Sequence, residues 1–237
     1  MLGYYKRHVL SLADRLQALN GDLTDFDHLI DLQREILGRL LITEARITGY
    51  KSRAVELKVR LRTARLPKKD ALQVKKTIGR LRQRIEDCNW LLYIWRCFGD
   101  GIAYSYLDKW AVKSLLYDVT TAAVKERAGH VTGKQGFYQE MALVLEAKRR
   151  GVPALLTDLT NTIRHGDVCL LGASDPYVIE VKSSANQNER VARQVESVRK
   201  IHDYLAKDQA ENLRGAGLLR RVAIPTAESI TLIRSTS

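Results

Sequence analysis

Residues 165–184 read HGDVCLLGASDPYVIEVKSS. DVCLLG, residues 167–172, is a short apolar run that stops at glycine, and YVIEVKS, residues 177–183, is a β-branched run. Ser174, Asp175 and Pro176 between them are turn formers, so the segment predicts two strands joined by a turn. Alternate side chains of a strand share a face, which puts Glu180 with Lys182 and sets Ile179 and Val181 on the opposite side. Asp167 opens the first strand, and a hairpin brings its carboxylate to the end of the sheet where Glu180 stands. Two carboxylates and a strand-edge carbonyl form a hard, oxygen-only site of the kind that selects Mg²⁺ or Mn²⁺. Lys182 is then placed to orient a nucleophile or to stabilise charge developing on a phosphate.

Outward from this pair, QGFYQEMALVLEAKR at 135–149 reads as a helix and ALLTDL at 154–159 as a strand or extended entry. A long helix is expected over 188–207, with further strands at RRVAIP, 220–225, and SITLIR, 229–234. Asp158 reads as an ordinary turn residue. GHVTGKQG, 129–136, reads as a glycine-punctuated boundary. It fails as a nucleotide-binding loop, because only three residues separate Gly129 from Gly133 and Gln135 stands where Ser or Thr is required.

HGDVCLLG followed by PYVIEVKSSANQNERVARQVESVRKIHDYL resembles the core of the PD-(D/E)xK, restriction-endonuclease-like superfamily, over about residues 133–225. The resemblance implies an αβββαβ core that hydrolyses phosphodiester bonds with a divalent metal. It implies metal ligation by Asp167, Glu180 and the Val181 carbonyl, with Lys182 assisting. It also implies a glutamate from the preceding helix, Glu140, with Glu146 the alternative, and a glutamine over the site, Gln194. Gly166 stands where the superfamily pattern has proline. Arg190, Arg193, His165, Ser183 and Ser184 are secondary candidates for phosphate contact; each is equally a surface, loop or strand-end residue.

The N-terminal half is of another kind. A short amphipathic helix over 4–19 ends at Asn20-Gly21, and a second runs from near Thr24 to Arg65 without a breaker. Ile36, Leu40, Ile47, Tyr50, Ala54, Leu57, Leu61 and Ala64, with Thr43 in one slot, alternate steps of four and three, a heptad seam. Pro67 must end that helix. The next repeats the rule with Val74, Ile78, Leu81, Ile85, Cys88, Leu92 and Trp95, until FGDG at 98–101 is expected to break it. Further helix is expected over about 102–117 and on towards Arg127. Two such helices across a short turn predict an antiparallel coiled-coil hairpin with its tip near Pro67. The fold class expected is α+β, with a helical domain over 1–128 and a nuclease domain over 129–237.

Charge is concentrated on that hairpin. The chain carries 39 Lys and Arg against 27 Asp and Glu, a net +12. From Arg46 to Arg84 there are 14 bases and two acids, Glu56 and Asp70, so this segment alone supplies +12 and the remaining 25 bases balance 25 acids. Such an element suits a polyanion, and Arg60, Arg62, Lys68, Lys69, Lys75 and Lys76 near the tip are the candidate DNA contacts. A protein partner or a homodimer through the arm is the competing use. A hydrophobic share of 45% supports a packed core and excludes wholesale disorder. No apolar run reaches membrane length, no signal peptide is recognisable, and Cys88, Cys97 and Cys169 form no metal or disulfide framework. The expectation is therefore a cytoplasmic, Mg²⁺-dependent DNA nuclease without a membrane partner, set by superfamily association in phage defence or DNA repair. An RNase, or an inactive nuclease fold serving as a nucleic-acid-binding or scaffold protein, is the alternative.

Overall fold

A computed structural model describes residues 2–126, 129–134, 136–181 and 189–222. The chain is a mixed α+β protein, mostly helical. Helix α1 spans Leu2–Gly21, α2 Phe26–Thr63 and α3 Lys68–Tyr106. Asp25 caps α2 by accepting the His28 N–H at 2.9 Å, which satisfies one of the donors a helix start leaves open. The chain leaves α2 at Ala64 in extended conformation and re-enters helix directly after Pro67, at the turn the proline predicted.

The heptad seam closes over this hairpin as far as Leu61, while Ala64, expected in the seam, is the exposed, extended C-cap of α2. Near the tip Ala54, Leu57, Ile78 and Leu81 form their own apolar cluster, flanked by Tyr50, Leu61 and Val74. Closer to the base, Ile36, Leu40 and Ile47 meet Cys88, Leu92 and Trp95 within the main core. Thr43, the polar residue in the seam, accepts a hydrogen bond from the Trp95 indole N–H at 3.2 Å and donates its own hydroxyl to the Arg39 carbonyl. It therefore satisfies the one polar atom that burying Trp95 brings in.

FGDG does not break α3, which runs through it to Tyr106; this corrects the expected stop at 98–101. A Cβ on Gly99 would come within 2.0 Å of the Leu159 carbonyl oxygen, and one on Gly101 within 2.5 Å of the Leu16 side chain. Packing against backbone, then, and not backbone conformation, requires glycine at 99, whereas at 101 only the flexible end of the Leu16 side chain would have to shift. The expected helix over 102–117 and beyond is also corrected. Beyond α3, α4 covers only Lys109–Ser114, capped by Asp108, and the chain continues irregularly with one bridge between Tyr117 and Val124.

Helix α5, Phe137–Arg149, leads into a three-stranded antiparallel sheet in the order β1 (Ala154–Leu156), β2 (Val168–Leu170), β3 (Tyr177–Ile179). The strands are shorter than expected: residues 157–159 turn into a single 3₁₀ turn instead of extending β1. Both outer edges of this sheet are covered by side chains. The buried Gln33 carboxamide donates to the Ala154 carbonyl at 2.9 Å and accepts the Leu156 N–H at 3.0 Å, imitating a neighbouring strand. On the far side His202, from helix α6 (Glu189–Lys207), accepts the Val178 N–H at 3.2 Å and stacks on Tyr177. Among the described residues, no strand after α6 joins this sheet, where an αβββαβ order places one. β5, Leu218–Arg220, instead pairs with β4, Gln209–Glu211, in a separate antiparallel ribbon. Residues 223–225 of the strand expected over 220–225, and the whole of the strand expected at 229–234, lie outside the described residues.

One apolar core runs from Leu12 and Leu29 in the N-terminal helices through Leu155 and Val168 in the sheet to Ile201 in α6.

Candidate functional site

The loops beside the sheet are held by polar residues of the helical hairpin. Glu44 of α2 is fully buried and accepts the Val131 and Thr132 N–H groups at 2.9 and 2.8 Å, and also the Thr132 hydroxyl. Arg96 of α3 donates to the carbonyls of Asp158 and Gly129 at 3.0 and 3.1 Å. Asp100 accepts the N–H groups of Asn161 and Thr162 and the Asn161 amide, at 2.8–2.9 Å. FGDG thus docks the 158–162 loop through Asp100 and the close approach at Gly99. The two long helices fix segments 129–134 and 157–162, between which the site forms.

Asp167 lies immediately before β2 and Glu180 immediately after β3, at the same end of that antiparallel pair. The Asp167 N–H donates to the Ile179 carbonyl at 2.7 Å, and its Oδ2 accepts the Val181 N–H at 2.8 Å. Asp167 is therefore fastened at both ends to the strand carrying Glu180. Gly166, where the superfamily pattern has proline, adopts φ +66°, and a Cβ there would come within 2.9 Å of the Ile179 carbonyl. The approach of β2 to β3 at this point requires glycine.

Two further carboxylates meet Asp167. Glu140, in the first turn of α5, is 2% exposed. Asp158, on the 3₁₀ turn, is buried as well, so reading it as an ordinary turn residue was wrong. The Lys134 ammonium sits among them, 3.0 Å from Glu140 Oε1, 2.8 Å from Asp158 Oδ2 and 3.0 Å from Asp167 Oδ1. Burial opposes the Lys134 charge, but Asp158, Glu140 and Asp167 outweigh it and hold its pKa above the ordinary lysine value. Burial pushes the Glu140 carboxyl up, against the pull of Lys134. Glu180 rises to about 7, through burial first and the Asp167 charge second, with Lys125 and Lys134 opposing.

Lys134, Asp158, Asp167 and Glu180 line a cleft of about 350 Å³ that also takes in Lys125, His130, His165 and Gln194; Glu140 joins them through its ion pair with Lys134. Lys125 and Glu180 attract one another, while burial pushes the lysine pKa down. Gln194 of α6 thus reaches the site. Glu146 does not: it pairs with Arg149 and Arg150 on the outer side of α5. Arg193 is exposed on α6. Lys182, Ser183, Ser184 and the Arg190 side chain lie outside the described residues, so the E-x-K lysine has no described position. Sequence reasoning missed Lys134, Asp158 and Lys125. The signal for Lys134 was available in the glycine-bracketed GKQG; nothing about the spacing of the other two marks them.

His165 is structural. It is 2% exposed, its Nε2 lies 2.9 Å from the Tyr117 carbonyl, and its Nδ1 lies 3.1 Å from Lys125 Nζ. That pairing sets a neutral ring with the proton on Nε2. Burial, and then the Lys125 charge, pushes its pKa down to about 4. Between pH ~6.5 and ~4 the unfolded chain takes up a proton that the folded one refuses, so stability falls as pH falls through this window and is unaffected above it. The loss reaches about 3 kcal/mol by pH 4. His165→Gln should flatten this part of the stability–pH curve, measured by urea denaturation at pH 7.5 and 4.5. An unchanged wild-type-to-variant difference at the two pH values would show that His165 does not titrate as described.

Among the described residues, no group of three or more His, Cys, Asp or Glu side chains is arranged to hold a metal ion as it stands. The carboxylates stand at ammonium–carboxylate distances around Lys134, wider than the roughly 2.0–2.1 Å that Mg²⁺ requires. The donor set itself is all-carboxylate and already surrounds a cation, as a hard divalent ion demands. No helix among the described residues is long and apolar enough to cross a membrane. No family model, curated protein or solved structure matches the chain.

Proposed function

We propose that the chain is a divalent-metal-dependent nuclease that hydrolyses DNA phosphodiester bonds, with the basic hairpin holding the substrate. The observation that carries this reading is the convergence of Asp167, Glu180 and Asp158 on one cleft at the end of β2 and β3, with Glu140 joined to them through Lys134. Against these four acids and Glu126 stand Lys134, Lys125 and Arg164, a local balance of −2 among the described side chains when all are ionised. A negative balance of this kind favours a divalent cation such as Mg²⁺ or Mn²⁺. Asp167 and Glu180 would hold it, with the Val181 carbonyl and Glu140 as the resemblance implies and Asp158 as a further oxygen donor. What such an ion supplies is Lewis-acid polarisation of a phosphodiester.

The chain's own groups do the rest. Glu180 has its pKa raised by burial and by the Asp167 charge in the metal-free cleft, a cost that a bound cation would offset by favouring the carboxylate. Gln194 faces the cleft from α6, and Lys125 places positive charge beside Glu180. Lys182 is assigned to orienting a nucleophile or stabilising charge on phosphate by its spacing from Glu180 and by the resemblance. A setting in phage defence or DNA repair follows from superfamily association only.

The Lys134 ion pairs favour a second reading, an inactive nuclease fold that binds nucleic acid or a partner protein. A lysine that neutralises its carboxylates is also what a purely structural cluster needs. The experiment is incubation with linear, circular and single-stranded DNA, and with RNA, in Mg²⁺ or in EDTA. Cleavage of DNA in Mg²⁺ alone supports the nuclease; cleavage of RNA alone makes it an RNase; no cleavage of any substrate leaves the binding protein.

A further inference from the structure

We infer that Lys134 is a built-in counter-ion seated where the metal of the proposed nuclease binds, so that the metal loads only by displacing it. This rests on the metal-site reading above and adds its regulation. The ammonium has three N–H donors, and three carboxylates from three separate elements take them: Glu140 from α5, Asp158 from the 3₁₀ turn and Asp167 from the start of β2. With separations of 2.8–3.0 Å, Nζ contacts one oxygen of each of these three carboxylates, all of them proposed metal donors. An ion that draws the same oxygens in to roughly 2.0–2.1 Å has no room beside it.

The backbone around Lys134 is built to hold the lysine in place and to let its side chain leave. Glu44 anchors Val131 and Thr132, and the Lys134 N–H donates to the Val131 carbonyl at 3.1 Å. Gly133 (φ +80°) and Gly136 (φ +98°) supply left-handed turns on either side. The lysine stem is flexible and its side chain is 28% exposed towards the cleft. Displacement is a rotation of the side chain and needs no refolding of the loop. Without the ammonium, Glu140, 2% exposed, faces two other carboxylates uncompensated. The lysine therefore stabilises the metal-free protein and lowers the apparent metal affinity by competition.

The test compares wild type with Lys134→Met, using Mn²⁺ alone as the probe. Binding is read by calorimetry, and thermal unfolding is followed with Mn²⁺ and with EDTA. The variant should bind Mn²⁺ about tenfold tighter or more, melt lower in EDTA, and gain more from Mn²⁺ than wild type does. Equal or weaker Mn²⁺ binding by the variant, with wild type still binding, overturns the competition and leaves the metal site intact. If neither protein binds Mn²⁺, the metal-site reading falls and the competition with it. Amine acylation of wild type, read by mass spectrometry at Lys134, covers the case of a variant that does not fold. Reactivity there should rise when Mn²⁺ binds, and unchanged reactivity in a Mn²⁺-loaded sample overturns the proposal.

Discussion

Asp167→Ala and Glu180→Ala should each lower Mg²⁺-dependent DNA cleavage by on the order of 10³-fold or more, because a lost metal ligand removes several kcal/mol of transition-state stabilisation. Each should also weaken metal binding. The two differ in structural cost. Asp167 accepts the Val181 N–H and one Lys134 N–H, so alanine there leaves two donors without their partner. Asp167→Asn separates the effects, since its amide oxygen can still accept from Val181 while the charge is gone. Lys182→Ala should abolish cleavage and largely spare metal affinity, as expected of a group that acts on the phosphate. Circular dichroism and unfolding curves establish that each variant folds. Turnover at the wild-type rate in the Asp167 and Glu180 variants would remove the assignment of the catalytic centre.

The hairpin pair around Asp167 and Glu180 was legible because a two-residue period and a Ser-Asp-Pro turn are local signals, and each fixes the face or the direction of the next residue. The antiparallel arm was legible for the same reason: the heptad steps and Pro67 act within a few residues of one another. What sequence could not supply came from packing across the chain. FGDG reads as a helix break on propensity, yet the Leu159 backbone needs the bare Gly99 surface, and α3 runs on through it with Trp95, Ile102 and Ala103 held in the core on either side. Asp158 looked like a turn residue because its partner, Lys134, is 24 residues earlier. The edges of the sheet are covered by Gln33 and His202, residues 121 and 24 positions from the strands they cover, and no periodicity announces that. With both edges taken, the chain after α6 makes a separate ribbon. Gln194 was expected over the site from the superfamily pattern alone, and it lines the cleft because α6 packs its buried face, Val198 and Ile201, on the core.

The arm should set affinity and leave the chemical step alone. Arg60, Arg62, Lys68, Lys69, Lys75 and Lys76 are all exposed around the turn at Pro67. The apolar residues beside them close on each other in a cluster separate from the main core. Replacing all six with glutamine keeps long, helix-compatible side chains and removes six charges, so the seam of Leu57, Leu61, Val74 and Ile78 should hold. Each phosphate neutralised on duplex DNA contributes about 0.9 to the slope of log affinity against log salt, so the slope should flatten by up to about 5 units if all six meet phosphate. The helices present side chains all round, so some of the six face away from any one duplex and the observed change should fall below that ceiling. Cleavage at saturating DNA should persist, because Asp167 and Glu180 are positioned by the sheet and by the base of the hairpin, where Glu44, Arg96 and Asp100 grip the loops. Binding titrations across a salt series, followed by single-turnover cleavage at saturation, measure both halves. Unchanged affinity and salt slope in the six-fold variant would exclude the arm as a DNA grip. Its charge would then serve a protein partner or a second copy of the chain, and sedimentation of the same variant would show which, since only loss of a dimer changes the mass of the free protein.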